Sequence, residues 1–173
     1  QDRKWLAEEF QPTLDFYRKE TQRVPDSAIV VWPEVAIPSV TDKVEGYIAT
    51  LEADSRRNGQ SIAIGILERV YEPPGDAKIY NSVILLDGET RQVYRKRHLV
   101  PFGEYFPVPA QVREWMRMLS LPHSDLSSGI DAQPLLVAGN GAKLAVAICY
   151  EDAYGAEQLY ALPEASLLIN VSN

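Results

Sequence analysis

Three apolar runs, "SIAIGIL" (61–67), "NSVILL" (81–86) and "KLAVAIC" (143–149), are short, rich in Ile and Val, and bounded by polar or glycine-containing segments. That pattern suits buried strands better than helices, and a chain carrying several of them has to cover a sheet. "AIVVWPE" (28–34) reads as a further short buried strand closed by Pro33, and "ASLLINV" (165–171) as the last one. Helical signals fall between them. A first helix is expected over 14–21, with Pro12 tolerable only near its first turn. From Thr41 onward, Val44, Tyr47, Ile48 and Leu51 recur at helical spacing, and "RRNG" supplies basic residues and a glycine stop. Residues 80–96 read as two strands turning at Asp87-Gly88, 109–119 as an amphipathic helix, and 120–129 as polar loop. Residues 133–151 read as a second hairpin turning at 139–141, and 156–162 as a short helix. The interleaving predicts an α/β fold with helices covering a sheet.

At 173 residues the chain is long enough for one core and is read as a single unit. Its net charge of −7 argues against nucleic acid as a partner, since affinity there comes from neutralising phosphates. The one basic cluster, Arg91, Arg95, Lys96, Arg97 and His98, has the plain reading of a solvated strand end. A lone cysteine cannot close an intrachain disulfide, and His98 and His123 stand in no metal-binding pattern. No nucleophile elbow, P-loop or dinucleotide fingerprint is present, no apolar run reaches membrane-spanning length, and no signal peptide opens the sequence. Gln1 is not an initiator and the sequence stops as a strand finishes, so the expectation is a fragment of a larger protein, its domain truncated at both ends.

Reactive groups tend to sit where buried strands end. "AIVVWPE" delivers Glu34, "RQVYRK" delivers Lys96, and "KLAVAIC" delivers Cys149, followed by Tyr150, Glu151 and Asp152. Each alone has an ordinary explanation: a buried small hydrophobe, a surface carboxylate, a solvated lysine. Together they form a kit for acyl transfer. A thiol near pKa ~8.5 needs a base or a nearby cation to become a thiolate. Glu34 is the candidate base. Lys96 is the candidate group to stabilise the thiolate and an oxyanion, with the Tyr150 N–H as a second donor. Spacing alone does not bring the three together.

A Glu after a strand, the Lys of "YRKRHL" and the Cys of "AICYE", in that order, resemble the Glu-Lys-Cys triad of the nitrilase (carbon-nitrogen hydrolase) superfamily. More narrowly, "WPEVAIP", "YRKRHLVPFGEYFP", "AICYED" and the final "NVSN" resemble the periplasmic domain of the bacterial apolipoprotein N-acyltransferases, over nearly the whole chain. The resemblance implies a four-layer α-β-β-α sandwich occupying 1–173 as a partial domain. It implies Glu34 as general base, Cys149 as nucleophile and Lys96 as oxyanion stabiliser. Glu104 of "FGEY" matches a position supporting the lysine and the base, with a helix-terminal charge as its plain alternative. Trp5, Tyr150 and Glu151 match functional positions of less definite role; for Trp5 and Tyr150 simple packing is the alternative.

The implied reaction takes an acyl chain from a phospholipid onto Cys149 as a thioester, then passes it to the α-amino group of a diacylglyceryl-cysteine lipoprotein, with no cofactor. The implied setting is the bacterial inner membrane, with this domain in the periplasm and membrane contact through segments absent from this sequence. An apolar mouth for acyl chains is expected from Phe102, Tyr105, Phe106, Val108, Trp115, Met116, Met118 and Leu119, which otherwise are core. Two alternatives stand beside it: a soluble amidase of the same superfamily acting on a small amide with water as acceptor, and a non-catalytic binding domain of the same fold.

Overall fold

The computed structural model describes residues 6–71, 73, 75–105, 107 and 126–173. Trp5, His123, the segment 109–119 read as a helix, and Phe106, Val108, Trp115, Met116, Met118 and Leu119 lie outside these residues.

A first helix, α1, runs over Ala7–Thr21. The first sheet is built on β3 (Ser61–Tyr71), which pairs in parallel with β1 (Ile29–Val31) and β2 (Ile37–Val40) and antiparallel with β4 (Ala77–Leu86). β4 in turn pairs with β5 (Arg91–Arg95) through the Asp87-Gly88 turn. Between β2 and β3 stands α2 (Glu45–Asn58). A second sheet has β7 (Lys143–Ile148) at its centre, antiparallel to β6 (Leu136–Val137) and parallel to β8 (Leu167–Val171). A 3-10 turn at Cys149–Ala153, the short helix α3 (Gly155–Gln158) and another 3-10 turn at Leu159–Ala161 join β7 to β8.

Strand periodicity explains why the apolar runs are continuous rather than alternating. Ile62, Ile64 and Ile66 of β3, with Ile84 and Leu86 of β4, point to one face and pack against Leu14 of α1 and Ile48 and Leu51 of α2. The intervening Ala63, Val83 and Leu85 point to the opposite face, where they meet Leu144, Val146 and Ile148 of β7. The first sheet is thus buried on both sides, giving a helix layer, a sheet and a second sheet. α2 stops where expected: Gly59 takes a left-handed φ of 62° and its N–H closes on the Ser55 carbonyl.

Four expectations need correction. Pro12 sits in the second turn of α1, because that helix begins at Ala7 rather than near residue 14. Glu8 and Pro12 are exposed, so the carbonyl that loses its helical donor stays open to water. β1 is only partly buried, and the fully buried side chain of its segment is Trp32, whose indole N–H donates to Thr21 Oγ1 at 2.9 Å. β2 was not anticipated, since Pro38 disguises a strand paired on one side only. β8 is not a buried strand: Leu167 and Leu168 are 44% and 56% exposed, and it is an edge of the three-stranded sheet.

Candidate active site

Glu34 lies in the loop leaving β1, and its position depends on a glycine in the neighbouring strand. Trp32 N–H donates to the Ala63 carbonyl and Ala36 N–H to the Gly65 carbonyl, both at 2.8 Å, so the loop is laid flat against β3. A Cβ on Gly65 would stand 2.2 Å from the Pro33 carbonyl oxygen and 2.8 Å from Glu34 Cα. Only glycine permits this approach. Gly65→Ala is therefore expected to push the loop off the strand; for Glu34 as the candidate base, an Å-scale displacement would cost about 10²-fold in rate. Wild-type activity in that variant, with an unshifted loop, would refute the dependence.

Lys96 follows β5 and is 1% exposed despite its charge. Its ammonium stands 2.9 Å from Glu104 Oε1 and 3.7 Å from Glu34 Oε1. Asn81, from the middle of β4, donates its side-chain N–H groups to the same two oxygens, at 2.7 Å to Glu34 and 3.0 Å to Glu104. Glu104 Oε2 accepts the Val100 N–H at 2.9 Å. One cation and one amide thus hold two carboxylates side by side, which would otherwise repel. The basic cluster is no solvated strand end: Arg91 pairs with Glu45 and Glu52, Arg95 with Glu68, Arg97 and His98 with Glu157, and Lys96 is buried.

Cys149 begins the turn after β7 with a left-handed φ of 53°, a conformation costing about 1–3 kcal/mol in a non-glycine residue. The surroundings hold it there. Ile148 N–H, just before it, donates to Glu151 Oε2 at 2.8 Å, and Asn170 of β8 donates to the Cys149 carbonyl at 3.2 Å. Val35 (φ 44°), beside Glu34, and Phe102 (φ 62°), two residues before Glu104, share the left-handed region. Of the four described non-glycine residues with a left-handed φ, three lie at or beside these side chains and the fourth is Ser27.

The thiol lies within electrostatic reach of Glu34, Lys96 and Glu104. Burial is the main influence pushing its pKa up, followed by the Glu34 charge; Lys96 and a hydrogen bond from the Tyr150 N–H pull the other way without winning. At rest and neutral pH the sulfur is therefore a thiol. The sign can be measured. Alkylation by iodoacetamide, which reads the thiolate, should climb with pH beyond the ordinary thiol range. At about pH 8 it should be faster in Glu34→Gln, which loses a raising charge, and slower in Lys96→Met. The opposite order would contradict this electrostatic account.

Glu151 is fully buried and ties two strand ends together. Its Oε1 accepts the N–H groups of Arg97 (2.7 Å) and His98 (3.2 Å), and its Oε2 accepts the Ile148 N–H and the Tyr94 hydroxyl (3.0 Å). Burial, then the Glu151 charge, keep the Tyr94 phenol well above its ordinary pKa, so it remains a donor. Tyr150 is 46% exposed, with its ring edge against Tyr154, and is not core packing. Of the expected apolar mouth, Phe102 is 71% exposed. Asn81 and Gly65 are the residues that sequence reasoning missed. A buried Asn in an otherwise apolar strand was the available signal for the first.

A model of the carbon-nitrogen hydrolase family matches residues 3–173. The chain belongs to that family. As a carbon-nitrogen hydrolase family member, it is 38% identical over 174 residues to an apolipoprotein N-acyltransferase of Methylococcus capsulatus, and 39% identical over 175 residues to one of Nitrosomonas europaea. Each alignment takes in 100% of this chain and 34% of the relative, so the chain spans about a third of those proteins' length. Among solved structures, a carbon-nitrogen hydrolase of Helicobacter pylori G27 superposes with a TM-score of 0.63 at 18% identity, covering 95% of this chain and 54% of the other. Together with the family match, that likeness assigns the nitrilase-superfamily fold.

Proposed function

We propose that this chain is the catalytic part of an apolipoprotein N-acyltransferase working through a thioester on Cys149. The observation that carries the reading is the buried Lys96 shared by Glu34 and Glu104 within reach of a strained Cys149, in a chain that matches proteins of that name along its full length. In the first half-reaction Glu34 takes the thiol proton and the sulfur attacks an ester carbonyl of a phospholipid. Lys96 and the Tyr150 N–H receive the developing oxyanion. The C–O bond then breaks, and the departing lysophospholipid alkoxide takes the proton from Glu34. In the second, the α-amine of a diacylglyceryl-cysteine attacks the thioester: a C–N bond forms, the C–S bond breaks, and the proton lost by nitrogen returns to sulfur through Glu34. Glu104 and Asn81 hold the lysine and the base; Glu151 holds the Cys149 turn.

Among the described residues no helix is long and apolar enough to cross a membrane. On this reading membrane contact belongs to other parts of a longer protein in the bacterial inner membrane, with this domain in the periplasm. The same fold serves amidases, but the relatives at 32–39% identity favour acyl transfer to an amine over hydrolysis of a small amide.

The full-length protein incubated with phospholipid vesicles should carry an acyl group on Cys149, detectable by mass spectrometry. Cys149→Ser should accumulate no thioester, and Lys96→Ala should fail before or during its formation. An active enzyme labelled on another residue, or one that only hydrolyses amides, would overturn the reading.

A further inference from the structure

The geometry points to Gln133 as a positioning residue for Lys96: one side-chain amide, on the segment that leads into β6, fixes the peptide from which the lysine leaves β5. This rests on the acyltransferase reading for the reaction it serves, and adds a residue that the reading does not use. Lys96 has a long, flexible stem, so the place of its ammonium is only as well defined as the backbone that carries it.

The Arg95–Lys96 peptide is held at both ends. Its N–H, that of Lys96, donates to the Asn81 carbonyl of β4 at 2.8 Å, and its carbonyl, that of Arg95, accepts from Gln133 Nε2 at 2.7 Å. Gln133 Oε1 accepts the Arg95 N–H at 2.8 Å, so one amide meets both backbone groups of Arg95 as a neighbouring strand would. Nε2 also donates to the Ile130 carbonyl at 3.1 Å, which spends both amide hydrogens on carbonyls and leaves Oε1 for the N–H. The next peptide is tied twice as well: the Lys96 carbonyl accepts the Gly129 N–H at 2.8 Å, and the Arg97 N–H donates to Glu151 at 2.7 Å. Gly129 permits the approach, since a Cβ there would stand 2.5 Å from the Arg95 carbonyl oxygen and 2.9 Å from Gln133 Nε2.

Among the described residues β5 ends the path of the first sheet, whereas the segment after Gln133 runs into β6 and so pairs with β7, the strand that delivers Cys149. Gln133 thereby refers the lysine to the sheet that carries the thiol. Gln92 makes the same clasp in reverse: from β5 it donates to the Val137 carbonyl at 2.7 Å and accepts the Val137 N–H at 2.8 Å. Gln92 stands four residues before Lys96, about 13 Å along the strand. The two clasps join the same stretches of chain with the same chemistry, and only that of Gln133 adjoins the lysine.

Gln133→Met and Gln92→Met in the full-length protein should both lower the melting temperature. Only Gln133→Met should lower kcat for thioester formation with phospholipid vesicles, by about tenfold to 10²-fold with the phospholipid KM unchanged, as an Å-scale shift of Lys96 would. Gln133→Glu, which keeps an acceptor for the Arg95 N–H and offers the carbonyl no donor, should show the same kcat loss and serves where the Met variant is too unstable. Alkylation of Cys149 by iodoacetamide reads the lysine without any substrate, because Lys96 draws the thiol pKa down. At about pH 8, Gln133→Met should slow it about threefold, and by no more than Lys96→Met does. In a Lys96→Met background the same change should leave the rate within about 1.5-fold, whereas a purely structural glutamine would act alike with and without the ammonium. The proposal is overturned if Gln133→Met forms the thioester at the wild-type rate, if the two Met variants lose kcat equally, if the alkylation effect survives removal of the ammonium, or if neither Gln133 variant folds. A wild type that forms no thioester would instead bring down the acyltransferase reading, while the alkylation rates would still decide whether Gln133 places the lysine.

Discussion

Lys96→Met is expected to lower thioester formation by about 10³-fold or more, since losing one oxyanion donor costs on the order of 10²- to 10³-fold and this donor also carries the charge that favours the thiolate. Methionine keeps the unbranched length of the stem and removes the ammonium. Two carboxylates then remain on one amide: Glu34 and Glu104 would share only Asn81, through the contacts at 2.7 and 3.0 Å. Like charges that close repel, so Glu34 would also lose the contact that holds it in place beside Glu104. The loss should therefore exceed that of a single hydrogen bond. Lysophospholipid release reads it. A loss below tenfold would mean that the ammonium is no part of the chemistry.

Glu151→Ala should have the largest effect on folding. The change orphans three backbone N–H groups and the Tyr94 hydroxyl, which have only this carboxylate as their acceptor in the contacts described. Each buried donor left without a partner costs about 1–3 kcal/mol, so the sum is of the order of the whole stability of a domain this size. Expression without folding, or a melting temperature lower by roughly 10 °C or more, is the expected outcome. Glu151→Gln keeps one acceptor oxygen and should fall between alanine and wild type. Hydrogen exchange at the amides of Arg97, His98 and Ile148 would locate the damage. An alanine variant melting with the wild type would show that water replaces the carboxylate, and that the Cys149 turn is held by other contacts.

Both predictions concern long-range contacts, and there the sequence was least informative. Local patterns were enough for α2, β3, β4, β5 and the turns at Asp87-Gly88 and 139–141, because helix periodicity, glycine stops and turn residues act within a few positions of themselves. Strand-end position also singled out Glu34, Lys96 and Cys149, and the resemblance added Glu104 and Glu151. β2 and β8 were misjudged for one reason: whether a strand is central, edge or exposed depends on which neighbours it acquires, and neighbours are not written in a run of residues. The basic cluster was misjudged similarly, since the carboxylates that neutralise Arg91 come from α2, 39 and 46 positions away.

What the sequence determined by itself was the set of elements and the chemical inventory, since both follow from side-chain type and local spacing. What only the tertiary structure decided was the working arrangement: a glycine in β3 that lets Glu34 lie against the strand, an asparagine in β4 that joins two carboxylates, and a buried glutamate that pins the cysteine turn to the lysine strand. The physical reason is that the role of a glycine or a buried polar group is set by what approaches it across the fold. Steric clearance and hydrogen-bond partnership exist only between surfaces that folding has already brought together.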